Sequence, residues 1–241
     1  MIYVSNTYED MSTQAAGDLL EIVTKLKDPV ICTASGDTPR GMYKALIRMI
    51  QQNRTDISRW TFLGLDEWIG MNGHDEGSCR YHLDHDLFGP LKVKEDKIIF
   101  FNGRGDADEE CKRIESFIAK HKQIDVAIVG LGMNGHIGMN EPGTSANSRS
   151  HLAEIDTVTQ QVGQKYFTSQ QTIDKGITLG IATIMEASAI FLLVNGSKKA
   201  SITRQVIEDE ISEKLPASLL RRHPSLYVYL DKEAASMLPV M

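Results

Sequence analysis

Several things are scarce in this chain of 241 residues. No apolar run approaches the roughly 18 residues that a membrane-spanning helix needs, although hydrophobic residues make up 41% of the sequence. The opening segment MIYVSNTYED has neither a basic stretch nor the apolar core of a secretory leader, which favours the cytoplasm. Cysteine occurs only three times, at Cys32, Cys79 and Cys111, an odd number without CxxC spacing. That pattern excludes a disulfide framework and a zinc ribbon, and fits reduced thiols. Positive charge is also thin: the formal net charge is −6, and Lys and Arg are scattered. A nucleic-acid surface needs a basic stripe, so that class is excluded, whereas a small anion needs only one local cationic pocket. Low-complexity linkers and internal repeats are missing too, so residues 1–241 are read as one domain.

What is present is a regular alternation of short apolar runs and amphipathic stretches. Strands are expected at Ile2–Val4, Pro29–Ala34, Trp60–Leu65, Lys97–Phe101, Ile124–Val129, Ala189–Val194 and Leu226–Leu230, with shorter ones at His151–Ile155 and Gly176–Gly180. Helices are expected from the cap at Asn6 or Thr7 to about Leu26, over Gly41–Gln52, Ser78–Leu87 and Asp106–Lys120, up to Ile207, and over Pro216–Arg222. A last helical turn or two is expected over Lys232–Leu238. Strand–helix alternation of this kind predicts an α/β fold, a doubly wound three-layer domain around a mostly parallel sheet.

Four of the buried strands run into polar loops: Ser35-Gly36-Asp37-Thr38, Asp66-Glu67, Gly130 to Glu141, and Asn195 to Lys199. In a parallel sheet these C-terminal ends lie along one edge and can share a crevice. The first loop leads into a helix and aims amides at an anion. The third places Asn134, His136 and Glu141 among glycines, a pattern suited to a carboxylate-oriented imidazole that moves protons. Its GLGMNG also matches the G-x-G-x-x-G fingerprint of dinucleotide sites, but Gly138 and Pro142-Gly143 deny the helix that fingerprint must open. Of Asp66 and Glu67, neighbours on an extended chain, one should face away. His82, His85 and Asp86 share a helix face and are read as a solvated surface rather than a metal site.

With LDEW at 65–68, GLGMNGHIGMNEPGTS at 130–145, SGDTP at 35–39 and GSKKA at 196–200, the chain resembles the glucosamine-6-phosphate deaminase family over nearly its whole length. The superfamily also holds 6-phosphogluconolactonases and ribose-5-phosphate isomerases, whose fold is Rossmann-like. The lactonases typically lack the NEPG continuation found here at Asn140–Gly143. The resemblance implies an enzyme without metal or cofactor, a hydrolase and isomerase of N-acetylglucosamine catabolism that turns glucosamine 6-phosphate into fructose 6-phosphate and ammonia. On this resemblance His136 assists ring opening, Asp66 carries a proton from C2 to C1, Glu141 orients and charges the histidine, and Asn134 stands where some members have Asp. Ser35, Gly36, Asp37, Thr38 and Lys199 resemble the phosphate site, and Lys165 takes the place of a phosphate-binding Arg in a lid over Asp156–Asp174.

Two departures bear on the substrate: Asp37 replaces a glycine of the usual GGTP, and Lys165 replaces the Arg. They keep open galactosamine 6-phosphate as an alternative substrate, with tagatose 6-phosphate as product. A 6-phosphogluconolactonase and a non-catalytic sugar-phosphate sensor are the remaining readings. His151 and Ala153 stand where regulated members have Arg and Lys, which implies no activation by N-acetylglucosamine 6-phosphate. The sequence leaves the choice between monomer and homo-oligomer open.

Overall fold

The computed structural model describes residues 1–121 and 123–239. Along the chain the elements are β1 (Ile2–Ser5), α1 (Tyr8–Val23), β2 (Val30–Thr33), α2 (Asp37–Asn53), β3 (Thr61–Gly64), β4 (Asp66–Trp68) and α3 (Cys79–Leu83). They continue with α4 (Gly89–Leu91), β5 (Ile98–Ile99), α5 (Ala107–His121), β6 (Val126–Gly130), β7 (His151–Glu154), α6 (Thr157–Gly163) and β8 (Lys175–Thr178). The chain closes with α7 (Ile181–Met185), β9 (Ala189–Val194), α8 (Ala200–Glu208), α9 (Pro216–Leu219) and β10 (Leu226–Asp231).

Seven strands form one parallel sheet in the order β1-β10-β9-β6-β2-β3-β5. Alternation along each strand divides the core between its two faces. Val126 and Ile128 of β6 join Met42, Leu46, Phe62 and Phe191 under α1 and α2. Ala127 and Val129 join Ile114, Ile118, Ile190 and Val206 under α5 and α8. This is the expected doubly wound three-layer arrangement. The chain proceeds from β2 through β3 to β5 on one side, and from β6 through β9 to β10 on the other. The order therefore reverses between β2 and β6, the position where doubly wound sheets open a crevice at their carboxyl ends.

Several local expectations need correction. The short strands expected at His151–Ile155 and Gly176–Gly180 are β7 and β8, but β4, only three residues long, and the antiparallel pairing of the three as a second sheet, β4-β8-β7, were not anticipated. The helix expected over Ser78–Leu87 is α3 followed by a π-helical turn at Asp84–Phe88. The strand at Lys97–Phe101 shrinks to Ile98–Ile99, and Lys232–Leu238 forms turns rather than helix. Finally, α2 begins at Asp37 instead of after Pro39, so Asp37 and Thr38 of the polar loop after β2 already belong to the first helical turn.

Candidate active site

The loops after β2 and β6 meet at the reversal point and border a cleft of about 200 Å³. Gly36 caps α2 with φ of +114°, a left-handed geometry that favours glycine. The Tyr8 hydroxyl accepts the Gly41 N–H at 2.7 Å and lies 2.9 Å from the carbonyls of Asp37 and Thr38, which pins this first turn. Thr38 donates to Asn195 Oδ1 at 2.6 Å, tying the loop after β2 to the loop after β9. From that second loop Lys199 reaches back to donate to the Leu131 carbonyl. Burial, helped by the charge on Lys165, lowers its ammonium to about 8.

Asp66 and Glu67 are both buried, and they face opposite ways, as neighbours on an extended chain do. They have separate tasks. Glu67 accepts the N–H groups of Trp68, Cys79 and Arg80 at 2.8–3.0 Å, which makes it the anchor at the start of α3. Asp66 borders the cleft instead. Burial pushes its carboxyl up to about 6, against a hydrogen bond from the Cys79 thiol.

In the loop after β6, Asn134 Nδ2 donates to Glu141 Oε2 at 2.7 Å, and Asn134 Oδ1 lies 2.7 Å from His136 Nδ1. An ionised carboxylate only accepts, so it fixes the amide nitrogen on its own side and turns Oδ1 toward the ring. His136 Nδ1 therefore carries the proton, and Nε2 is left with a free lone pair. Glu141 itself is 3.6 Å from Nδ1 and acts through Asn134. Burial and the nearby Lys199 lower the imidazole pKa and Glu141 raises it; the net direction is downward. A Cβ on Gly132 would sit 2.3 Å from the His136 ring, so this fingerprint glycine makes room for an imidazole and not for a pyrophosphate. Asn140 holds the loop by donating to the carbonyls of Ile137 and Leu179, both at 2.9 Å.

Residues 156–174 cross over the cleft between β7 and β8, and the Ile155 N–H to Asp174 carbonyl bond closes their neck at 2.8 Å. From this segment Thr159 Oγ1 comes within 3.1 Å of His136 Nδ1, and Phe167 packs on Trp68 with ring centroids 6.5 Å apart. Lys165 pairs with Asp37 at 2.6 Å. Asp37, which stands where the usual GGTP has glycine, thus has a cation as its partner.

Ser35, Gly36, Asp37, Thr38 and Asp66 all border the cleft, as do His136, Lys165 and Lys199. Asn134 and Glu141 stand behind the histidine. Sequence reasoning missed Cys79, Thr159, Tyr166 and His82, which also border it. His82 was assigned to solvent, but its ring lies 5.3 Å from Tyr166 and its Nε2 is buried without a partner. Its spacing one helical turn after Cys79 was the available signal. Among the described residues no group of three or more His, Cys, Asp or Glu is placed to hold a metal ion.

The family model for glucosamine-6-phosphate isomerases/6-phosphogluconolactonase matches residues 6–228. The chain belongs to this family. Among its relatives, a glucosamine-6-phosphate deaminase of Shouchella clausii is 38% identical over 239 residues, covering 98% of this chain and 96% of the relative. Glucosamine-6-phosphate deaminase 1 of Bacillus subtilis is 36% identical over 235 residues, 97% of each chain. A solved monomeric glucosamine-6-phosphate deaminase superimposes with a TM-score of 0.95 at 35% identity, covering 98% of this chain and 99% of the other. The 6-phosphogluconolactonase of Trypanosoma brucei shares the fold, with a TM-score of 0.78 at 19% identity. These full-length deaminase relatives correct one expectation. The family member is an ammonia-releasing deaminase and isomerase, and the class of hydrolase does not stand. No helix among the described residues is long and apolar enough to cross a membrane.

Proposed function

We propose that this enzyme converts glucosamine 6-phosphate to fructose 6-phosphate and ammonia, in the cytoplasm and as one domain with a lid over 156–174. The observation that carries the reading is the chain Glu141–Asn134–His136 with a buried Asp66, in a cleft that the first turn of α2 and two lysines also border. The phosphate is assigned to the amides of Ser35–Thr38 at the start of α2, with Lys199 and Lys165 as counter-charges. Binding this remote group supplies energy for orientation at C1 and C2.

His136, neutral and with Nε2 free, takes the proton of the C1 hydroxyl and delivers it to O5 as the pyranose opens. Asp66, ionised above about pH 6, then removes the C2 proton. The electron pair forms the C1–C2 double bond of an enolamine while solvent supplies a proton to the aldehyde oxygen. Asp66 returns its proton to C1, the resulting iminium gives an N–H proton back to solvent as the ketose imine, and water adds at C2 and expels ammonia. A carboxyl raised to about 6 is a stronger base than an ordinary aspartate, yet is still ionised at neutral pH.

The test is direct. Purified protein is incubated with glucosamine 6-phosphate, and in parallel with galactosamine 6-phosphate, while ammonia and ketose phosphate are measured. Stoichiometric release of both products from the gluco substrate is expected, and no ammonia from either sugar overturns the reading.

A further inference from the structure

The two departures from the family pattern, Asp37 and Lys165, are 128 positions apart in sequence and touch each other at 2.6 Å. We propose that they form a latch: in the empty enzyme Asp37 holds Lys165, and through it the lid, in place of a phosphate, and the arriving phosphoryl dianion displaces Asp37 from the lysine. This inference rests on the sugar-phosphate reading of the same cleft and names the residue that sets affinity there.

The contact joins the first turn of α2 to the lid segment. Lys165 also lies over the Tyr166 ring, 4.9 Å from its centroid. A Cβ on Gly36 would be 3.3 Å from the Tyr166 hydroxyl, so the same stretch of lid rests directly on the loop assigned to phosphate. A phosphate held by that loop enters the space beside both charges and competes with the Asp37 carboxylate for one ammonium.

The exchange leaves no charge stranded. Asp37 has a second cation, Arg40, at 3.5 Å. Arg40 in turn is held at 3.0 Å by Asp86 on the π-helical turn, so it does not need Asp37. Both latch side chains are about half exposed, at 49% and 53%, and exposed pairs of this kind are weak enough to open readily. Beneath Tyr166, His82 Nε2 is buried and meets no hydrogen-bond partner from the protein. A lid fastened by a weak contact over an unpaired polar atom is poised to open and to close again on a ligand.

The test separates the latch from the function it rests on. Hydrogen exchange of residues 157–167 is followed without ligand in the wild type, Asp37→Asn and Lys165→Met, with thermal melts confirming that each is folded. About threefold faster exchange is expected in both variants, and unchanged exchange in Asp37→Asn overturns the latch. Inorganic phosphate is then titrated, with binding read from calorimetry. Asp37→Asn is expected to bind it about 3–10-fold more tightly than the wild type, because a competitor has gone. In the Lys165→Met background the same substitution is expected to gain little. Weaker binding in Asp37→Asn, or an equal gain with and without Lys165, refutes the exchange. Failure of the wild type to release ammonia overturns the proposed function instead, and leaves the ligand-free exchange result standing on its own.

Discussion

Replacing Asp66 by Asn is expected to stabilise the protein while abolishing turnover, and the size of the gain follows from burial. The carboxyl is moved from its ordinary 3.8 to about 6 because its charged form is poorly solvated. Between those values the folded protein binds a proton that the unfolded chain has already released, so stability falls as pH rises through this window. Above about pH 6 the full penalty applies: two units at 1.36 kcal/mol each, or about 3 kcal/mol. An isosteric amide does not ionise and avoids it. For a chain of this length the difference corresponds to a rise in Tm of about 6–12 °C at pH 8, and it should shrink to about 1–2 °C by pH 4, close to the unfolded value of 3.8, disappearing only where the carboxyl is protonated in both folded and unfolded chains. Paired melts of wild type and Asp66→Asn from pH 4 to 8 measure it. Turnover should fall by about 10²–10⁴-fold with the base removed, while a phosphate analogue still binds. A Tm difference that stays constant across the pH range refutes the argument, since it would mean that Asp66 is not a desolvated carboxylate.

Three further outcomes are expected. Asn134→Ala removes the acceptor of His136 Nδ1–H and the donor to Glu141, whose other oxygen already lacks a partner; kcat should fall by roughly 10²-fold with KM changed by less than about threefold, as steady-state ammonia release will show. Lys199 is charged only below about 8 in the free enzyme, so kcat/KM should decline as pH rises through that value; Lys199→Arg should remove the decline. N-acetylglucosamine 6-phosphate should leave the substrate-saturation curve unchanged. The His151 ring is engaged with the Arg149 carbonyl at 2.8 Å, and the Arg149 guanidinium is held by Glu186 and Glu115.

The parallel sheet was legible because buried parallel strands are continuous apolar runs, as in Ile124–Val129 and Ala189–Val194. The convergence of four strand ends was legible for the same reason, since parallel strands all finish at one edge. Strand order was not, because periodicity records which face is buried and not which neighbour lies beside it. The small sheet escaped because β4 is three residues long and directly continues from the β3 segment. The residue pattern alone did not tell Asp66 from Glu67, and only the resemblance singled out Asp66; the position of Glu67 depends on the amides at the start of α3, more than ten residues away. Lys165 was placed near phosphate by resemblance. Its pairing with Asp37 links distant segments, and a single sequence carries no record of that contact.

One consequence of the small sheet concerns mechanics. Its strands β7 and β8 carry the two ends of the lid, and β8 pairs with β4 so that Thr178 lies opposite Asp66. The same end of β8 also holds the histidine loop, since Thr178 Oγ1 accepts the Met139 N–H at 3.2 Å and the Leu179 carbonyl accepts from Asn140 at 2.9 Å. The antiparallel ladder thus gives the segment that covers the cleft, the Asp66 carboxylate and the histidine loop one common support.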